Sequence, residues 1–198
     1  MIGMTRMGIC IKGTLRENRM GKLSTFNRSQ IAIVDNSVTL AEELVSNYYK
    51  LSSSLWLKRK YDIKTLMDLS KNEIVDGPFA QILHYKGRRK DSALESESYD
   101  FYKICLQDHA ILSAIQEFSH LQLFPFTLYI IIHELIHVVR FTKFLQNFYA
   151  SSEEKMTEEK RVHEGTRNIL KKLKLTGLDD VLDFYRKWII PFEDLKEG

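Results

Sequence analysis

The sequence predicts a single, mainly helical α+β domain with a small sheet in its N-terminal half and one buried central helix. Apolar residues recur at helical spacing through most of the second half, while the first half sets short β-rich runs between polar breaks. The stretch Leu128 to Val139 is almost wholly apolar, yet it carries His133, Glu134 and His137. The chain has 198 residues, 44% hydrophobic and 28% charged, enough for one proper core and ordinary for a soluble globular domain. The domain is expected over 21–198. Residues 1–20 are expected to be a disordered leader or an overlong reading frame, or else to carry a strand at Gly8 to Leu15.

Ser24 to Val34 ends in the β-rich run Ile31 to Val34. Asp35, Asn36 and Ser37 then offer turn and N-cap residues before Val38, Ala41, Leu44, Val45 and Tyr48 recur at helical spacing, so a helix is expected over 38–50. Ser52 to Ser54 breaks it. Leu55 to Asp68 sets Lys58, Arg59 and Lys60 beside Trp56 and Tyr61. It reads as a solvated helix face with its aromatics in the core, in preference to a patch for anionic surfaces. After the Gly77-Pro78 turn, Phe79 to Tyr85 is the best strand, and Arg88 to Ser98 is a charged, Ser-rich loop.

From Tyr99 the chain reads as helical throughout. Ile104, Leu106, Ala110, Ile111, Ala114, Ile115 and Phe118 support a helix to about Leu121, and Pro125 suits the first turn of the next, over 125–149. Ser151 and Glu154 form a capping-box pattern for a helix over 152–174, with Val162, Thr166, Ile169, Leu170 and Leu173 inside and Gly177 beyond its end. Asp179 to Trp188 is a last helix, closed by Pro191.

The balance of 29 basic and 26 acidic residues gives a net charge of +3, too little to argue for a nucleic-acid partner. Two cysteines, Cys10 and Cys105, are too few for a disulfide framework, so a reducing, cytoplasmic compartment is expected. Pro125 and the pair His133-Glu134 interrupt the apolar stretch from Leu121, so no membrane span is expected.

An apolar helix that spends three positions on ionisable side chains has a use for them, because burying them uncompensated costs several kcal/mol, roughly. At i and i+4, His133 and His137 lie on one helical face and can converge on a metal ion; Glu134 sits one step round, beside the open coordination position. Catalytic zinc needs three protein ligands and a water. The motif His133-Glu134-Leu135-Ile136-His137 resembles the zinc-binding helix of the zincin metallopeptidases. The resemblance implies a zincin-like fold, His133 and His137 as ligands, and Glu134 as the general base. It also implies a zinc-activated water and a peptide or protein substrate, and it suggests Phe79 to Tyr85 as an edge strand against which an extended substrate pairs. It covers the motif helix and the helix after it.

The third ligand is sought on that following helix. Helical phase leaves Glu158 and Glu159 facing the core, and turns Glu164 away; Glu153 and Glu154 read as solvated. In the gluzincin branch the third ligand is a glutamate about twenty residues beyond the motif, with a polar partner four positions later. Glu159 with His163 fits this better than Glu158 with Val162, although the family has an aspartate where this chain has His163. Two other readings stand beside this one. Glu117-Phe-Ser-His120 with Glu134-Leu-Ile-His137 resembles the paired motifs of ferritin-like di-iron proteins, and a metal-binding module without activity would need the same ligands. His120 is a transition-state donor or a helix-end residue.

Overall fold

The computed structural model describes residues 4–8, 23–52, 61–88, 98–143 and 151–189, with side chains left out at 4–8, 87–88, 98–99 and 187–189. Two compact units make up the chain: Met1–Thr25 with Leu51–Ala110, and Phe26–Lys50 with Ile111–Gly198.

The first unit is built on four strands, β1 (Met4–Gly8), β2 (Tyr61–Lys64), β3 (Ala80–Arg88) and β4 (Ser98–Leu106), in the order β1-β3-β4-β2. β3 runs antiparallel to both β1 and β4, and β2 runs parallel to β4. The predicted strand at Phe79 to Tyr85 is therefore present. It is an interior strand, however, with both edges hydrogen-bonded, so the edge-strand role suggested for it is not available. β1 lies within the stretch considered as a leader; of the strand expected at Gly8 to Leu15, only Gly8 falls among the described residues. The basic cluster Lys58 to Lys60 and most of the charged loop also lie outside them.

β4 corrects the expectation that the chain is helical from Tyr99. Tyr102, Ile104 and Leu106 fit a period of two as well as they fit a helix, and nine residues of β3 stand ready to pair with β4, from Ala80 opposite Leu106 to Arg88 opposite Ser98. Pairing decides, and the helix starts only at Asp108. The expected helix through Asp68 fails for the same reason: Tyr61 is buried in a strand beside β4, and a 3₁₀ turn follows at Leu66–Asp68.

A buried polar cluster ties this unit together. Glu73 Oε1 accepts hydrogen bonds from the Tyr85 hydroxyl at 3.0 Å and Lys103 Nζ at 2.8 Å, and Oε2 accepts from the Ser70 amide at 2.8 Å. Burial works against this carboxylate, but Lys103, Ser70 and Tyr85 outweigh it and hold its pKa down at about 2. The Glu73 carbonyl accepts from Gln81 and Gln107 side chains at 2.7 and 3.1 Å. His84, expected to be a packing or exposed residue and not a ligand, is buried, bonded to Asp100 at 2.7 Å and stacked on Tyr102.

The second unit is helical: α1 (Arg28–Tyr49), most of α2 (Asp108–Glu117), α3 (Leu123–Thr142), α4 (Ser152–Leu170) and α5 (Leu178–Ile189). α1 begins ten residues before the expected start. Its capping box is Asn27 and Gln30, each side chain bonded to the other's amide at 2.9–3.0 Å, which carries Ile31 to Val34 into the helix despite their β-propensity. Ser37 is not a cap; its hydroxyl meets the Thr127 hydroxyl of α3 at 2.8 Å, beside the buried Val34, Ala41 and Val45.

α3 is the central helix the sequence predicts, with Pro125 in its first turn and Ile131, Leu135 and Val138 buried. By length and composition it could cross a membrane, which the interruption by Pro125 was expected to prevent. Yet 83% of its most apolar window is buried inside the protein, as a core helix requires. The predicted capping box of α4 is present, Ser151 and Glu154 exchanging bonds of 2.8 and 3.3 Å. α5 follows Gly177, whose φ is +78° and where a Cβ would lie 3.0 Å from the Gln122 side chain. Both facts favour glycine there. Phe184 of α5 packs edge-on against Phe118 and Phe126.

Candidate metal centre

One helical turn brings His133 and His137 together on α3, their Nε2 atoms 3.2 Å apart. Glu159 of α4 faces both: Oε2 lies 3.2 Å from His133 Nε2, and Oε1 lies 3.3 Å from His137 Nε2. These three side chains form a group that can hold a metal ion, one ligand atom from each lying within 4.8 Å of the others. Donors about 2.0–2.1 Å from a tetrahedrally coordinated ion stand about 3.3 Å apart; the two imidazole nitrogens are 3.2 Å apart, and each has a different oxygen of the one Glu159 carboxylate at 3.2–3.3 Å.

Charge states suit a cation. Burial lowers the pKa of His133, with Glu159 opposing, so its imidazole is neutral and has a lone pair to offer. Burial would raise Glu159, but the neighbouring His137 and His133 hold it well below the usual carboxylate range. Glu134 behaves oppositely: burial, with the charge of Glu159 adding, pushes its pKa up to about 8. Its Oε2 has no hydrogen-bond partner, and neither does His133 Nδ1.

α4 separates the two glutamates that helical phase left equal. Glu158 is buried between arginines, accepting from Arg140 Nε and from Arg161 Nη1 at 3.2 Å, so it clamps α3 to α4 and takes no part in the ligand group. His163 does not join the ligand group either. Its Nδ1 bonds the Tyr129 hydroxyl at 2.8 Å, and its ring stands 4.3 Å from that of His133. Four residues beyond Glu159, it stands behind the group, beside His133. Burial holds its pKa down at about 2. Glu117 ends α2 and His120 lies three residues beyond it; both are exposed and belong to no such group among the described residues, so the second half of a di-iron site is not assembled. Glu153, Glu154 and Glu164 are exposed, as expected of a solvated face.

Two tyrosines flank the centre without having been singled out. Tyr129 precedes His133 by four residues and shares its helical face, a spacing that could have identified it. Tyr185 stacks on Tyr129 with centroids 3.8 Å apart and planes at 9°. It arrives from α5 by tertiary packing, and nothing local marks it. No family model matches the chain, and no curated protein or solved structure matches it either.

Proposed function

We propose that this chain is a zinc-dependent hydrolase of zincin type, a metallopeptidase acting on peptide or protein substrates. The observation that carries the reading is the convergence of two imidazole nitrogens 3.2 Å apart with the Glu159 carboxylate 3.2–3.3 Å from each, next to a buried carboxylate one residue along from His133. His133, His137 and Glu159 hold the ion. Bound there, zinc supplies a Lewis acid that lowers the pKa of a coordinated water and takes up developing negative charge.

Glu134 moves the proton. Next to a ligand in sequence, its carboxylate flanks the ion without being needed to bind it, and its unpartnered Oε2 is free to accept a proton from water. As the C–N bond breaks, the same oxygen returns that proton to the leaving amine. Burial makes this group a better base than an exposed glutamate, with a pKa near 8 in the metal-free protein. Beside a dication that value falls towards neutral pH, where a general base works best. A reducing, cytoplasmic setting accords with the buried free thiol of Cys105.

Digestion of a mixed peptide library by wild type, Glu134→Gln and chelator-treated protein tests the reading. Wild type should cleave, chelation should abolish cleavage, and Glu134→Gln should keep zinc while losing about 10²–10⁴-fold in rate. A wild type that retains zinc and cleaves nothing, or a fully active Glu134→Gln, would end the peptidase mechanism and leave a metal-binding module in its place.

A further inference from the structure

Two rungs join α3 to α4 at the centre. Residues four apart share a helical face, so His133, with Tyr129 one turn before it, meets Glu159, with His163 one turn after it. One rung is His133 Nε2 to Glu159 Oε2, at 3.2 Å; the other is the Tyr129 hydroxyl to His163 Nδ1, at 2.8 Å. The second rung sets a third imidazole against the ligand pair. The rings of His133 and His137 have centroids 4.9 Å apart, and the ring of His163 stands closer still to His133, at 4.3 Å. Yet only His133 and His137 aim nitrogens at a position shared with Glu159, and His163 offers it none.

What sets His163 apart is its bond to Tyr129. A phenol O–H is a stronger donor than a neutral imidazole N–H, which assigns the hydroxyl as donor to Nδ1 and the ring's single proton to Nε2. A nitrogen that carries a proton has no lone pair for a cation, and Nδ1 is already occupied. The phenol is itself fixed in place: Tyr129 is 2% exposed, and Tyr185 stacks on it with centroids 3.8 Å apart and planes at 9°. The consequence for coordination is large. Zinc with four protein ligands is a closed, structural site, whereas three leave a position for water or substrate.

We propose that Tyr129 is a positioning residue that keeps the fourth coordination position open: by holding His163 Nδ1, it withholds an imidazole that would otherwise close the site. Removing the hydroxyl frees His163 to become a fourth ligand. The inference rests on the metal reading of His133, His137 and Glu159, and adds to it what keeps their ion accessible.

The test uses the full chain loaded with cobalt(II), whose absorption bands report coordination, titrated with azide as a small anion that occupies an open position. Wild type should bind azide with a change in the bands. Tyr129→Phe should hold cobalt about tenfold more tightly and bind azide about tenfold more weakly. Tyr129→Phe combined with His163→Asn should bring both affinities back to within about twofold of wild type, because the competing imidazole is gone. A bond that served the fold alone would lower Tm in Tyr129→Phe and leave azide binding untouched. His163→Asn in the otherwise native chain gives a reading that does not depend on how well Tyr129→Phe folds, and it should keep both affinities within about twofold of wild type. Unweakened azide binding in Tyr129→Phe overturns this inference, as does azide binding that the added His163→Asn does not restore, or loss of cobalt from His163→Asn alone. A wild-type chain that takes up cobalt but no azide overturns it too, since the position is then not open. One that takes up no cobalt overturns the metal reading, and the role of Tyr129 with it.

Discussion

Glu73 and Glu134 are both buried glutamates, 5% and 3% exposed, and their surroundings have opposite effects. In the sheet unit, Glu73 has a partner on each oxygen: Lys103, the Tyr85 hydroxyl and the Ser70 amide. In the helical unit, Glu134 has an oxygen with none. Burial alone raises a carboxyl pKa; for Glu73 the partners outweigh it and the value falls to about 2, while for Glu134 it stands at about 8. The difference teaches how to tell a buried charge that serves the fold from one that serves chemistry. A carboxylate whose lone pairs are all taken cannot accept a proton or a ligand without breaking structure. One kept dry and unpartnered beside a convergent set of donors is available for both.

The largest expected effect separates the two clusters by metal content. His133→Ala combined with His137→Ala should take the protein from about one ion per chain to nearly none, because two of three ligands are gone. Elemental analysis after gel filtration measures this, and Glu73→Gln should retain the ion in full. Unchanged zinc in the double variant would show that His133, His137 and Glu159 are not the binding site.

Stability should respond in the other direction. Glu73→Gln leaves Lys103, whose side chain is 17% exposed, without its countercharge and weakens the bonds to Ser70 and Tyr85. A loss of roughly 2–4 kcal/mol is expected in urea unfolding. Glu134→Gln in metal-free protein at neutral pH should cost less than 1 kcal/mol, roughly, since it removes no hydrogen bond made by Oε2. Equal losses at the two sites would erase the distinction between them.

The smallest effect is a pair of opposed pH dependences in the metal-free protein. Glu73 has a folded pKa of about 2, below its unfolded value near 4.5. Its contribution is therefore full above pH 4.5 and is lost as pH falls towards 2. Glu134 has a folded pKa of about 8, above the same unfolded value. The folded state then binds more protons between pH 4.5 and 8, so stability declines as pH rises through that window. Glu134→Gln should flatten this decline, so that its stability relative to wild type rises from pH 5 to pH 8. A variant that follows the wild-type curve from pH 5 to 8 would show that Glu134 is not held in a desolvated site.

Helices with local punctuation were legible in the sequence. α3 carries Pro125 in its first turn and an unbroken apolar run, α4 carries Ser151 and Glu154, and α5 carries its own amphipathic spacing. Elements that depend on a distant partner were not. β4 reads as helix until β3 is laid beside it, and Ile31 to Val34 read as strand because the Asn27–Gln30 capping box lies upstream of the more conspicuous Asp35 to Ser37. The interior position of β3 depends on β1, seventy-odd residues away in the chain, and no periodicity within β3 encodes it.

The candidate centre divides along the same line. His133, Glu134 and His137 follow from sequence alone, because 100° per residue puts i and i+4 on one face whatever surrounds the helix. Helical phase also narrowed the third ligand to Glu158 or Glu159. Which of them faces the histidines was decided by tertiary structure: Arg140 on α3 captures Glu158, leaving Glu159 to approach both Nε2 atoms. Tyr185 was wholly a tertiary outcome. Its ring reaches Tyr129 only because α5, after the turn at Gly177, packs back on α3 through Phe184 and Phe126, and no local rule relates residues more than fifty positions apart.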